Sequence, residues 1–143
     1  MDDLFYMRKA LEQAKMAFDK DEVPIGAVVV CNGQIIARAH NLTETLNDVT
    51  AHAEMQAITA SANYLGGKYL DNCTLYVTVE PCPMCAGALA WAQVKRIVYG
   101  APDVKRGCMR FSGILHPKTV IEGGVMEQEC SALVKDFFAR KRK

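Results

Sequence analysis

Leu4, Met7, Leu11, Ala14 and Phe18 recur at intervals of three and four residues, so the chain opens on an amphipathic helix over residues 3–19. Asp19-Lys20-Asp21 interrupts the apolar stripe. Pro24, with no amide proton and a fixed φ, keeps the helix from resuming. Two apolar-rich runs follow, residues 27–31 and 34–38, joined by Asn32-Gly33, a pairing that predicts a tight β-hairpin. A polar loop runs from His40 to Thr50. Residues 51–64 read as a helix, with Thr50 as its N-cap and Gly66-Gly67 as its stop. Residues 74–79 are apolar nearly throughout, the mark of a strand buried on both faces and therefore central in its sheet. A helix from Pro83 to about Gln93, a strand at 96–99, an irregular Gly-, Pro- and charge-rich stretch over 101–119, and a short strand near Val120-Ile121 come next. Met126, Cys130, Leu133, Val134 and Phe137 mark a final helix. Strands alternating with helices predict an α/β fold, one sheet covered by helices, in a single domain over residues 1–143.

Composition changes this picture little. Half of the residues are hydrophobic, enough for a packed core, and a net charge of +1 points to neither nucleic acid nor membrane. Charge is uneven only at the end, Ala139-Arg140-Lys141-Arg142-Lys143. Alone, that tail reads first as a solvated helix end and second as a phosphate-contacting arm. No run is long and apolar enough to span a bilayer, and the opening MDDLFYMRKALEQA lacks the basic and apolar regions of a secretory signal, so a cytoplasmic protein is expected. In that compartment six cysteines are thiols or metal ligands rather than a disulfide framework. Cys31, Cys73, Cys108 and Cys130 each stand alone in the sequence and read as packing residues.

The chemistry lies in Pro81-Cys82-Pro83-Met84-Cys85, where a strand gives way to a helix. A Cys-x-x-Cys pair by itself fits a redox dithiol, half of a structural zinc site or part of a catalytic one. Pro83 suits the first turn of a helix, whose N-terminus favours thiolates. Upstream, His52-Ala53-Glu54 opens another helix. One histidine and two cysteines make three zinc ligands, which leaves a fourth position for water, the arrangement of a catalytic site. Such a site needs a carboxylate to carry the water's proton to the leaving group, and Glu54 is two residues from a ligand.

The pattern His-x-Glu … Pro-Cys-x-x-Cys resembles the signature of the zinc-dependent cytidine deaminase superfamily. Within it the chain is similar to the bacterial tRNA adenosine deaminases over roughly residues 3–106 and 119–142. Val23-Pro24-Ile25-Gly26, Thr50-Ala51-His52-Ala53-Glu54 and Glu80-Pro81-Cys82 are among the matching stretches. The resemblance implies a three-layer α/β/α sandwich with a central mixed sheet of about five strands (cytidine deaminase-like). It implies a homodimer that hydrolyses the wobble adenosine of a tRNA anticodon stem-loop to inosine. It makes His52, Cys82 and Cys85 the ligands of Zn2+ and Glu54 the proton shuttle. Asn41 and the backbone of Ala53 would contact the target base, and Val28 would line its pocket. It also turns the basic tail towards RNA. One departure stands out: after Lys105-Arg106-Gly107, Cys108 to Lys118 is shorter than in relatives and has no Asn-His pair at its end. That keeps a second expectation open, a deaminase of a free base or nucleoside such as cytosine, guanine or cytidine.

Overall fold

The computed structural model describes residues 2–142. The first helix, α1 (Asp3–Asp19), starts where Asp2 accepts a hydrogen bond from the Phe5 amide at 2.9 Å. It buries Tyr6, Met7, Ala10, Leu11, Ala14 and Ala17. The hairpin β1 (Gly26–Cys31) and β2 (Gln34–His40) turns through Asn32 and Gly33, both at positive φ (52° and 75°), which a two-residue turn of this hand requires. Ile36 is the extra residue of a bulge, since Val29 pairs with Ala37 and Val30 with Ile35. Then follow α2 (Ala53–Leu65), β3 (Cys73–Val79), α3 (Pro83–Ala92), β4 (Arg96–Ala101), a single 3₁₀ turn (Cys108–Arg110), β5 (Val120–Glu122) and α4 (Glu127–Lys141).

The sheet order is β2-β1-β3-β4-β5. β1 runs antiparallel to β2 and β3, whereas β3, β4 and β5 run parallel. The sheet is thus mixed and five-stranded, with β3 at its centre as its apolar run predicts. Alternation along the strands separates two cores. Ala27, Val29, Leu75, Val77 and Ile97 pack with Ala53 and Ala57 of α2 and Leu89 of α3. Val28, Val30, Tyr76 and Val98 pack with Tyr6, Met7 and Ala10 of α1 and Cys130 of α4. Helices on both faces make the three-layer α/β/α sandwich. Gly26 lets α1 lie close against the sheet. A Cβ there would strike the Ala10 carbonyl and the Ala14 amide.

Boundaries moved in three places. β2 continues two residues to His40, and β4 runs on to Ala101. α2 begins at Ala53 with His52 at the N-cap, and Thr50 is not the cap. The Asp48 carboxylate captures both the Thr50 amide (2.8 Å) and hydroxyl (2.7 Å), closing a turn before the helix. Of the apolar residues on α3, Leu89 and Ala92 are buried and Trp91 is 85% exposed. Phe137 is buried against Phe18, whereas Phe138 is exposed. In the basic tail Arg140 pairs with Asp136 and Lys141 with Asp21; Lys143 lies outside the described residues.

Candidate active site

Two helix N-termini converge at one end of the sheet. His52 is the N-cap of α2 and offers no side-chain cap bond to its own helix, so its imidazole is free to face α3. Cys82 is the N-cap of α3, Pro83 fills the first turn, and the Cys82 sulfur accepts from the Cys85 amide at 3.5 Å. His52 Nδ1 lies 3.7 Å from Cys82 Sγ and 3.4 Å from Cys85 Sγ. Hydrogen bonding from Cys85, opposed by burial and reinforced by His52, brings the Cys82 thiol down to about 4. The bond to Cys82 and then burial push Cys85 up. The bond to Cys82 likewise raises His52. Cys82 therefore carries the negative charge at this helix N-terminus.

The three donor atoms lie within 4.8 Å of one another. A tetrahedral zinc with ordinary Zn–S and Zn–N bonds holds a nitrogen and a sulfur about 3.6 Å apart. The observed spacings match that requirement with two soft thiols and an imidazole, a donor set that suits zinc.

Glu54 sits in the first turn of α2 and is 3% exposed. Burial raises its carboxyl to about 7, with the Cys82 charge adding to it and the helix backbone and His52 opposing. A cavity of about 190 Å³ opens above it, lined by Val23, Ile25, Asn41, Thr43, His52, Ala53 and Glu54. That volume is below the range for drug-sized ligands and suits one ring system. Asn41 is buried, and its side-chain oxygen accepts from the Thr43 amide at 3.3 Å, so it shapes the turn as well as facing the cavity. Its own amide bonds the Ile25 carbonyl at 3.1 Å.

Six of the seven expected site residues are brought together: His52, Cys82 and Cys85 as a donor cluster, and Asn41, Ala53 and Glu54 around the cavity beside it. Val28 is not among them. It is fully buried on the opposite face of the sheet, against α1. Strand alternation explains this, because Ala27 and Val29 take the α2 face and Val28 must take the other.

Two buried carboxylates escape the sequence reading. Glu22 is fully buried and accepts from the Glu44 amide (3.1 Å), the Thr45 amide (2.6 Å) and the Thr45 hydroxyl (2.6 Å). It pins the loop that carries Thr43 and Asn41. Glu80 accepts from the Asp103 amide (3.0 Å) and the Met109 amide (2.9 Å), and leaves no room for a Cβ at Gly107. The Cys108 amide binds the Pro81 carbonyl at 2.9 Å, so the divergent segment is anchored next to a ligand. Nothing in the local sequence marks Glu22. Glu80, just before Pro81-Cys82, at least lay inside the motif.

With its five-stranded mixed sheet and paired helix N-termini, the chain has the fold of a solved deaminase and is matched by a deaminase family model. The family model described as MafB19-like deaminase matches residues 1–142. The chain is 48% identical to the tRNA-specific adenosine deaminase of Bacillus subtilis (strain 168), covering 99% of this chain and 91% of that protein. It is 42% identical to the tRNA-specific adenosine deaminase of Aquifex aeolicus, covering 96% and 95%. Among solved structures it superposes with a TM-score of 0.85, at 41% identity over 90% of this chain and 98% of the other, on a protein studied for A-to-I editing by tRNA:A34 deaminases at the wobble position of transfer RNA. The guanine deaminase from Nitrosomonas europaea superposes at 0.87 but with 23% identity, and shows the fold alone. The chain belongs to the tRNA-specific adenosine deaminase family.

Proposed function

We infer that this protein hydrolyses adenosine to inosine at the wobble position of a tRNA anticodon. The observation that carries the reading is the buried, elevated Glu54 carboxyl beside the His52, Cys82 and Cys85 donor cluster, at the edge of a cavity sized for a single base. His52, Cys82 and Cys85 would hold Zn2+. When bound, the metal supplies Lewis acidity and draws the pKa of a water towards neutrality. Glu54, titrating near neutrality, takes a proton from the attacking water and delivers it to the departing amino group. Asn41 and the Ala53 backbone orient the ring, and Val23 and Ile25 give it an apolar wall that keeps water out. Adenine reaches such a cavity only out of its stack, which an anticodon loop allows.

The domain acts as one unit over residues 1–143, in the cytoplasm, as a homodimer; the exposed Trp91 on α3 supports a partner surface. No helix among the described residues is long and apolar enough to cross a membrane. Phe138 and Lys141 line a cavity with Thr43 and Glu44, so the end of α4 lies next to the substrate loop, which supports the RNA-facing tail.

The test is an anticodon stem-loop with a wobble adenosine, incubated with zinc-loaded protein and scored for inosine by mass spectrometry, with free adenosine, guanine and cytosine in parallel. Inosine from the stem-loop, lost in Glu54→Ala, is the expected result. Conversion of a free base with an untouched stem-loop would replace RNA editing by nucleobase deamination.

A further inference from the structure

Cys31 closes β1 and Cys73 opens β3, and the antiparallel register sets them directly opposite one another. Residues so paired have Cα atoms about 4.5–5.5 Å apart with side chains on one face, inside the span of a disulfide. Both side chains join the same apolar cluster under α2 and α3, Cys73 wholly buried and Cys31 half-buried at its edge. Burial, and next the neighbouring Cys31 thiol, push the Cys73 thiol up to about 12.

We propose that Cys31 and Cys73 form a redox-modifiable dithiol that a low-molecular-weight disulfide, such as oxidised glutathione, converts into a cross-strand disulfide. The accessible Cys31 thiolate attacks one glutathione sulfur, forming a mixed disulfide and releasing one glutathione thiolate. Cys73 then loses its proton and attacks the Cys31 sulfur, releasing the second glutathione. Two thiols are oxidised, one glutathione disulfide is reduced to two glutathiones, and two protons leave the protein thiols. The second step is the slow one, because Cys73 holds its proton tightly.

The other cysteines do not compete in the metal-loaded protein. Cys82 and Cys85 belong to the donor cluster, and Cys108 and Cys130 are buried on the 3₁₀ turn and on α4, away from the β1–β3 ladder. The position of the pair defines the consequence. The Gly26 amide binds the Thr78 hydroxyl at the site end of β1 and β3, whereas Cys31 and Cys73 lie at the far end of the same ladder. The cross-link would close a loop containing β2, the Asn41 turn and α2. It would tie that loop to β3 at one end of the sheet, while the donor cluster ties it to α3 at the other. Oxidation should therefore stiffen the fold without entering the cavity.

The experiment treats the full-length, zinc-loaded protein with oxidised glutathione and maps disulfides by mass spectrometry of a non-reduced digest. Expected are a linked Cys31–Cys73 peptide pair lighter by two hydrogens, a Tm raised by roughly 5 °C or more, and reversal of both by dithiothreitol. The half-buried position makes Cys31→Ser the gentler control; it should fold as the parent does and show neither change. A lasting glutathione adduct on Cys31 with no linked pair would overturn the proposal, as would a linkage found elsewhere or a Tm rise that survives in Cys31→Ser.

Discussion

Glu22 offers a sharp test of how this site is held. Its carboxylate is fully buried, makes three hydrogen bonds to residues 44 and 45, and belongs to no catalytic group. Glu22→Gln keeps the volume but turns one acceptor oxygen into an NH₂ that must face a donor. Hydrogen bonds to a charged acceptor contribute about 1.5–3 kcal/mol each. The variant keeps one acceptor, and the exposed loop lets water recover part of the loss. A net cost of about 2 kcal/mol follows, or roughly 6 °C in Tm for a chain of this size. The dependence on pH carries more information than the magnitude. Burial pushes the Glu22 carboxyl up, but the Thr45 hydroxyl and the Glu44 and Thr45 amides outweigh it and hold it below 4.5. A lowered carboxyl stabilises fully above its unfolded value and ceases to do so as pH falls through the folded one. Urea denaturation should thus show a constant difference between parent and variant from neutrality to about pH 5, shrinking below 4.5. Equal stabilities at pH 7, or a difference undiminished at pH 3, would refute the claim that this carboxylate pins the loop.

Three further outcomes are expected. Glu54→Gln should lower kcat on the stem-loop by roughly 10²–10⁴ while zinc content by atomic emission stays unchanged, since Glu54 is outside the donor cluster. Val28→Ala should cost about 2 kcal/mol of stability and leave KM unaltered, because its side chain faces α1 and not the cavity; a raised KM would return it to the pocket. Gly26→Ala should destabilise by about 2–3 kcal/mol, measured by thermal melting, as its methyl would meet the α1 backbone rather than a movable side chain.

Much of the candidate site was legible because it is written in short-range pattern. Cys82 and Cys85 are joined by spacing and by a helix start that Pro83 announces, and His52 and Glu54 by another. That the two helix starts meet is legible only through the family signature, since the stretch between them crosses β3 before reaching α3. The central place of β3 was likewise readable from an unbroken apolar run, which only a strand covered on both faces tolerates.

What the sequence alone determined, then, is the order and type of the elements, the hairpin turn at Asn32-Gly33, and the residue types of the candidate donors. These follow from periodicity, turn chemistry and residue type, which act over a few positions. Tertiary structure alone decided the rest. Val28 and Val29 are chemically the same, and only the register of β1 sends one to α1 and the other to α2. Thr50 is a competent cap, but Asp48 bonds it first and His52 takes the position. Glu22 looks like any surface acid until the fold lays residues 44 and 45 over it, and Cys31 and Cys73 are strangers in sequence until β1 and β3 pair. Each of these depends on which distant segment arrives at a given face, and a linear pattern carries no term for that.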